Sequence, residues 1–245
     1  MSSDRPLILA VDTATSCSSV ALSKGDVHDG ELVASLTLNS KITHSRRLLT
    51  GIDWLLTENS IDFNDIDGLA VGLGPGSFTG LRIAMATIKG LATAMDKPLL
   101  GVSTLDALAL NCSGDKPLCV LLDARKKEVY RRWYIKDEWD VYRSAGTIQA
   151  LTPKDLVAEI HESVLMVGDG LLSYGELLQE LLGEQVTMAP LPLHYPSAAS
   201  IGFLCCEQLK QGKLMALDSA VPLYVRASDA ELSLVKKEQQ EAKKS

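Results

Sequence analysis

The chain has 245 residues, a formal net charge of -7, 46% hydrophobic residues and 22% charged residues. These values are ordinary for a globular protein of one large or two small domains, and they argue against a surface built mainly to bind nucleic acid. The first apolar run is only a few residues long and ends at Asp12, too short for a signal peptide or a membrane span, so we expect a cytoplasmic protein with no membrane contact.

The first hundred residues predict the order strand, strand, strand, helix, strand, helix. A continuous apolar run that stops at Asp12 predicts a buried strand, and two alternating runs joined by the hairpin signal at residues 24–26 predict two more. A helix over roughly 45–58, a fourth strand, a glycine-rich loop and a helix to about Met95 complete this half. The first three runs read LILAV, SSVALS and ELVASLTL, and the fourth reads IDGLAVGLG.

The second half repeats this order without repeating the letters. Its first apolar run, PLCVLLDA, again ends in an acid, Asp123, and Thr152 followed by proline predicts a capped helix start. The run SVLMVGDG predicts the fourth strand, and a helix is expected over about 171–182. We therefore expect an N-terminal half over 1–100, a C-terminal half over 101–228 and a charged, mobile tail over 229–245.

Two βββαβα halves, each with an acid at the end of its first strand, resemble the plan of the actin, Hsp70 and sugar-kinase superfamily, an α/β ATPase-type fold. The resemblance implies that the two first-strand turns face each other across a cleft that usually holds ATP. Asp12, Thr13 and Asp123 would then form a remnant nucleotide site. The alternative is that each acid only forms a turn or caps a helix.

The first helix carries an apolar stripe and an aromatic residue on its other side. Leu48, Leu49, Ile52, Leu55 and Leu56 share the stripe, which should face the sheet. Trp54 falls on the opposite side beside Arg47, Thr50 and Gly51. A large aromatic next to arginine and small residues is typical of an interface anchor, although an exposed or internally covered tryptophan is the alternative.

The second helix has two apolar faces and few charges. Leu81, Ala84, Ile88, Leu91 and Met95 form the face expected on the sheet. The other face comprises Ile83, Ala86, Thr87, Gly90 and Ala94. Glycine inside a helix costs about 1 kcal/mol relative to alanine, which favours a packing role at this second face. Either the chain's own first helix or a helix of another subunit would pack there.

The glycine-rich loop between the fourth strand and this helix reads GLGPGSFTGLR over residues 72–82. Its spacing matches neither a P-loop nor a dinucleotide fingerprint. We expect the loop to turn the chain sharply and set the position of the second helix, which Ser77 or Thr79 would cap, while an anion at the helix start stays an alternative. The residues assigned to this loop are Gly74, Pro75, Gly76, Ser77, Thr79 and Gly80.

Cysteine and histidine spacing predicts no metal site. The five cysteines lack metal or redox spacing, which is typical of reduced, mostly buried thiols, and the four histidines form no HxxH or HxxxH pair. No cofactor is expected. The apolar segment over 191–209 is expected to be a core helix that buries two of the cysteines.

Several stretches together resemble the TsaB (YeaZ) family, whose members are needed for threonylcarbamoyladenosine in bacterial tRNA. The resemblance runs from about Leu7 to Arg226. It rests on ILAVDTATSCSSVAL, THSRRLL, GLGPGSFTGLRIAMATIKGLA, VSTLDALA, VLLDARKKEVY and PLYVR.

The resemblance implies an actin-like fold without catalytic groups. The related catalytic subunit, TsaD, holds a metal between histidines and transfers threonylcarbamoyl from its adenylate to N6 of the adenosine 3′ of the anticodon. Here His44 is followed four residues later by Leu48, so that metal pair is lacking. The resemblance implies that the interface with TsaD uses the two helices described above and that the ATPase TsaE joins the pair. We also expect a homodimer when TsaD is absent, and tRNA bound only through the complex.

Three other readings stay open. The fold plan is compatible with an ATP-dependent phosphotransferase that uses Asp12, Thr13 and Asp123. A glycoprotease would need a nucleophile, and the surroundings of Ser77 lack a G-x-S-x-G elbow. Direct tRNA binding by this chain would depend on the tail KKEQQEAKKS, whose mixed charges are typical of a solvated end.

Overall fold

The computed structural model describes residues 5–39 and 44–225, and side chains from residue 48 onward in the second range. Two five-stranded sheets form its frame, with strand orders β3-β2-β1-β4-β5 and β10-β9-β6-β7-β8. The first sheet contains β1 (Leu7–Asp12), β2 (Cys17–Lys24), β3 (Glu31–Asn39), β4 (Gly68–Gly72) and β5 (Leu99–Val102). The second contains β6 (Leu118–Arg125), β7 (Glu128–Lys136), β8 (Tyr142–Leu151), β9 (Val164–Val167) and β10 (Val186–Met188).

Each sheet is built around its first strand. β1 pairs antiparallel with β2 and parallel with β4, and all six of its residues are buried because helices cover both faces of the sheet. β6 has the same two kinds of neighbour, β7 and β9. The internal repeat predicted from the sequence is therefore confirmed.

In the described residues, six α-helices cover the two sheets. Their bounds are α1 His44–Glu58, α2 Phe78–Met95, α3 Thr104–Leu110, α4 Pro153–Ala158, α5 Gly170–Leu182 and α6 Ala198–Lys210. Helices α1 and α2 pack on the outer face of the first sheet, and α4 and α5 pack on the outer face of the second. On the inner side, α6 packs on the first sheet and α3 on the second, and these two helices contact each other.

This arrangement is an α/β actin-like fold with two similar halves. The predicted order misses one short strand in each half, β5 and β10, and the helix α3. Both strands are too short to show a period: β5 has four residues and β10 has three. The core helix predicted over 191–209 is confirmed from Ala198 onward as α6, with Cys205 and Cys206 buried, whereas Leu191–His194 form a separate 3-10 helix.

The division into residues 1–100 and 101–228 stays a prediction. Helix α6 comes from the second half of the sequence but packs on the sheet of the first, and α3 packs on the second sheet. Arg143 of β8 strengthens this crossing by donating to both carboxylate oxygens of Glu207 in α6, at 2.9 and 3.0 Å. The predicted charged tail, 229–245, lies outside the described residues.

Candidate functional site

The glycine-rich loop connects β4 to α2 and is packed tightly onto the turn after β1. Gly74 has a φ of +90°, which favours glycine, and a cis peptide bond joins it to Pro75. Ser77 caps α2 and accepts a hydrogen bond from the Gly80 amide at 3.2 Å. The cap at Ser77 is confirmed, whereas Thr79 is an exposed residue of the first helical turn.

Two glycines of this loop are required by close backbone contact. A Cβ on Gly76 would stand 2.2 Å from the carbonyl oxygen of Ala14, and a Cβ on Gly80 would stand 2.0 Å from that of Thr13. The Ser77 amide donates to the Ala14 carbonyl at 2.6 Å, and the Thr13 hydroxyl donates to the Gly80 carbonyl at 2.7 Å. The loop and the start of α2 are thereby fixed to the β1 turn.

Asp12 lies buried beneath this turn. One of its carboxylate oxygens accepts from the Ala14 amide at 2.8 Å, and the other accepts from the Thr104 hydroxyl at 2.7 Å. Burial raises the pKa of Asp12 to about 6, although both hydrogen bonds favour the ionised form. The carboxylate is therefore satisfied within the protein. The local sequence does not indicate that Thr104 contacts Asp12, because Thr104 follows β5 and lies 92 positions further along the chain.

A cleft of about 420 Å³ separates the two halves. The turn after β1, the glycine-rich loop, the β6–β7 turn and residues 223–225 line it, and Asp123 and Asp169 lie in its wall. Asp123 forms an ion pair with Arg125 at 3.2 Å, and its amide donates to Asp169 at 3.0 Å. Burial raises the pKa of Asp169 to about 6. The sequence patterns did not predict Asp169 as a cleft residue, although this acid follows the run LMVG and so marks the end of β9.

The predicted nucleotide residues thus occupy different layers. Asp123 lines the cleft, whereas Asp12 and Thr13 lie below its surface and contact Thr104 and Gly80. A nucleotide role for the three residues stays a prediction.

The two faces of α2 differ in exposure as expected. Leu81, Ala84 and Ile88 are buried on the sheet, and Leu91 and Met95 are partly buried. On the other face, Ala86, Gly90 and Ala94 are exposed and Ile83 and Thr87 are partly buried. Within the described residues, no atom outside the helix backbone lies within 4 Å of the position of a Cβ on Gly90. The described part of α1 therefore does not pack on this glycine.

Helix α1 differs from its prediction at two residues. Leu49, predicted on the buried stripe, is 53% exposed, and Gly51, predicted on the outward side, is buried. A Cβ on Gly51 would stand 3.1 Å from Leu36 of β3, so the missing side chain lets α1 approach the sheet. Trp54 is 50% exposed, as expected for the outward side.

These residues define an outward face shared by α1 and α2. Thr50 is exposed beside Trp54, while the side chain of Arg47 lies outside the described residues. The outward face comprises Leu49, Thr50, Trp54, Ile83, Ala86, Thr87, Gly90 and Ala94.

In the described ranges, no three side chains of His, Cys, Asp or Glu are grouped so that they could hold a metal ion. None of the helices in those ranges is both long enough and apolar enough to cross a membrane.

Sequence similarity to known proteins assigns the chain to a family. The tRNA threonylcarbamoyladenosine biosynthesis protein TsaB of Escherichia coli (strain K12) is 32% identical to it over 237 residues, which cover 94% of this chain and 99% of that protein. This chain belongs to the TsaB family. TsaB of Bacillus subtilis (strain 168) is 27% identical over 91% of this chain and 96% of that protein.

A family model and solved structures agree with this family. The model described as "TsaD: tRNA N6-adenosine threonylcarbamoyltransferase" matches residues 31–234, which is more than half of the chain, so the chain also belongs to the family that this model describes. The solved structure of YeaZ from Pseudomonas aeruginosa has a TM-score of 0.73 and 30% identity, and covers 89% of this chain and 99% of that one. The resemblance inferred from the sequence motifs is confirmed.

Proposed function

We propose that this chain is the non-catalytic scaffold subunit of the complex that transfers threonylcarbamoyl to N6 of the adenosine 3′ of the anticodon in tRNA. It docks on a TsaD-like catalytic subunit through the outward face of α1 and α2, orders that subunit's active site and helps to recruit a TsaE-like ATPase. Without the catalytic subunit, the same face forms a homodimer. The complex binds the tRNA and works in the cytoplasm, as the bacterial tRNA-modification relatives imply.

The observation that carries this proposal is the open stripe of small residues on α2. Ala86, Gly90 and Ala94 are spaced four apart and exposed. Because their side chains are small, a partner helix can pack on α2 with its axis at the short end of the usual 8–10 Å between helix axes. Retaining glycine inside an exposed helix costs about 1 kcal/mol in the free chain. Close packing against a partner gives a physical reason for that cost.

Trp54 and Leu49 supply the apolar area that such docking would bury. Each is about half exposed, and both lie on α1 beside the stripe of small residues, so together they enlarge its apolar surface. Covering the remaining half of a tryptophan, roughly 100 Å², would contribute on the order of 2–3 kcal/mol to association. Tryptophan is also enriched among residues that dominate binding energies.

The arrangement of the glycine-rich loop favours a scaffold over a phosphotransferase. The Ser77 amide and the Asp12 carboxylate both use their hydrogen-bonding capacity on other groups of the chain. The cleft with Asp123 and Asp169 nevertheless has room for a small molecule, which keeps an ATP-dependent phosphotransferase as the second candidate. Calorimetric titration with Mg-ATP separates the two, because heat of binding to this chain alone would support the enzyme.

Sedimentation velocity of this chain, alone and mixed with the TsaD-like subunit of the same organism, tests the scaffold. The wild-type chain should change from homodimer to heterodimer, and Gly90→Leu and Trp54→Ala should lose both assemblies while remaining folded by circular dichroism. Ser173→Leu, which adds the same leucine to an exposed position of α5, is the matched control and should assemble normally. Normal assembly of Gly90→Leu and Trp54→Ala would contradict the proposal.

A further inference from the structure

The mouth of the inter-half cleft carries an aromatic and guanidinium stack at the start of α2, one turn before Ala86 of the outward face. Phe78 and Tyr224 have ring centroids 5.1 Å apart at an interplanar angle of 34°, and the Arg82 guanidinium carbon lies 4.3 Å above the Phe78 centroid. Tyr224 is 43% exposed and lines the cleft with Phe78. The stack therefore offers a partly exposed flat surface beside a cation.

The chain segment that carries Tyr224 is fixed by two hydrogen bonds. The Leu223 amide donates to the Leu73 carbonyl at 2.8 Å, which joins the segment to the loop before α2. Lys89 of α2 donates to the Ala220 carbonyl at 3.2 Å. The backbone beside Tyr224 is thus fixed and its ring rests against Phe78, which lowers the entropic cost of stacking on it.

Cationic residues face the stack from the opposite side of the cleft. The β6–β7 turn presents Arg125, Lys126 and Lys127, all exposed and all with positive φ between 52 and 65°. Arg125 and Lys126 line the same cleft as Phe78 and Tyr224. With Arg82, the cleft mouth has a local excess of positive charge on a chain whose net charge is -7.

The two carboxylates in the cleft wall oppose an anionic ligand only weakly. Asp123 has an exposed side-chain fraction of 15% and is paired with Arg125. Asp169 accepts from the Asp123 amide, and burial raises the pKa of its carboxyl to about 6, so its charge falls as the pH drops through 6. Both groups lie in the wall, whereas the cations and the rings form its rim.

We propose that this rim is a contact site for tRNA, with an unpaired base stacked on the exposed ring of Tyr224, which Phe78 supports from beneath, and the adjoining phosphates held by Arg125 and Lys126. Stacking of bases on aromatic and arginine planes beside cations is how proteins recognise unpaired RNA. An acidic peptide would use the cations but not the rings. The inference rests on the proposed function, because the TsaB family acts in tRNA modification, and it adds a direct RNA contact to a subunit proposed above only as a scaffold.

The test measures the affinity of a fluorescently labelled, unmodified tRNA for this chain in complex with the TsaD-like subunit, by anisotropy between 50 and 200 mM salt. Tyr224→Leu should weaken binding by about 10-fold, and Tyr224→Phe should bind like the wild type. Arg125→Gln combined with Lys126→Gln should reduce the slope of log affinity against log salt by about 1.4, or about 0.7 for each lost phosphate contact. Lys154→Gln on α4, an exposed cation outside the cleft, should change neither quantity.

Unchanged tRNA affinity and salt slope in these variants, with the complex intact by sedimentation, would overturn the RNA site and leave the scaffold proposal standing. A second titration with AMP and ATP distinguishes a mononucleotide pocket. If the variants lose mononucleotide binding but keep tRNA binding, the proposal is also wrong. Repeating the tRNA titration with this chain alone tests the rim if the wild-type chain does not assemble with the TsaD-like subunit.

Discussion

Replacing Gly90 with alanine should stabilise the free chain and weaken its assembly. In a helix interior, alanine is favoured over glycine by about 0.8–1.0 kcal/mol. The new methyl group meets no atom within 4 Å among the described residues outside the helix's own backbone, so no steric cost offsets this gain. For a chain of 245 residues, this gain corresponds to an increase of about 2–4 °C in Tm.

The same methyl group should have the opposite effect when a partner helix packs on α2. Adding a carbon to a closely packed contact typically costs about 1–3 kcal/mol, and leucine at this position should cost more. The free energy of unfolding is best measured in urea at a protein concentration below that of homodimer formation. Affinity for the TsaD-like subunit is then measured separately by titration, with Ser173→Leu as the control for each assay.

Two results would refute this reasoning in different ways. If Gly90→Ala lowers the free energy of unfolding of the monomer, some other part of the chain covers Gly90 and the stripe is internal packing. If the variant is more stable but binds the TsaD-like subunit as the wild type does, the stripe is exposed without being the interface.

Three further changes test the interior. Gly80→Ala should destabilise the chain by about 3 kcal/mol in urea unfolding, because its Cβ would stand 2.0 Å from a backbone carbonyl, and a loss below about 1 kcal/mol would contradict the packing of the loop. The pKa of Asp12 is about 6 in the folded chain against an ordinary value of 3.8, so the folded chain binds the Asp12 proton more tightly than the unfolded chain does. This proton binding stabilises the fold fully below about pH 4, and the stabilisation is lost as the pH rises from about 4 to 6. Asp12→Asn should remove about 2–3 kcal/mol of that decline, seen as the difference between the wild-type and variant unfolding curves against pH, and parallel curves would be inconsistent with this assignment. Arg143→Gln and Glu207→Gln should show a coupling of about 1 kcal/mol in a double-mutant cycle, whereas additive effects would exclude a stabilising link between β8 and α6.

Much of the fold follows from local patterns in the sequence. The buried strand β1 is a continuous apolar run, and α2 shows a helical period with a capping serine, so both could be located closely. The strands β5 and β10 could not, since neither is long enough to distinguish a period. The side of the molecule on which α6 packs depends on contacts between distant parts of the chain, which no local pattern encodes.

The errors in α1 have a geometric cause. Leu49 follows Leu48 by one residue, which is about 100° around the helix, and therefore lies at the edge of the buried stripe rather than within it. Gly51 was placed outward by its small size and its neighbours. Its burial follows from the close approach of α1 to Leu36, a contact with β3 that the helical period alone does not contain.

The glycine-rich loop shows why a motif of this composition does not by itself identify a phosphate site. Backbone amides bind an anion only if they point away from the protein, and here the Gly74 amide donates to the Thr104 hydroxyl, the Ser77 amide to the Ala14 carbonyl and the Gly80 amide to the Ser77 hydroxyl. Pro75 has no amide hydrogen to offer. These bonds direct the loop inward and fix the first turn of α2 to the turn after β1. We therefore propose that glycines typical of an anion-binding loop here set the position of α2, and with it the direction in which the outward face is presented.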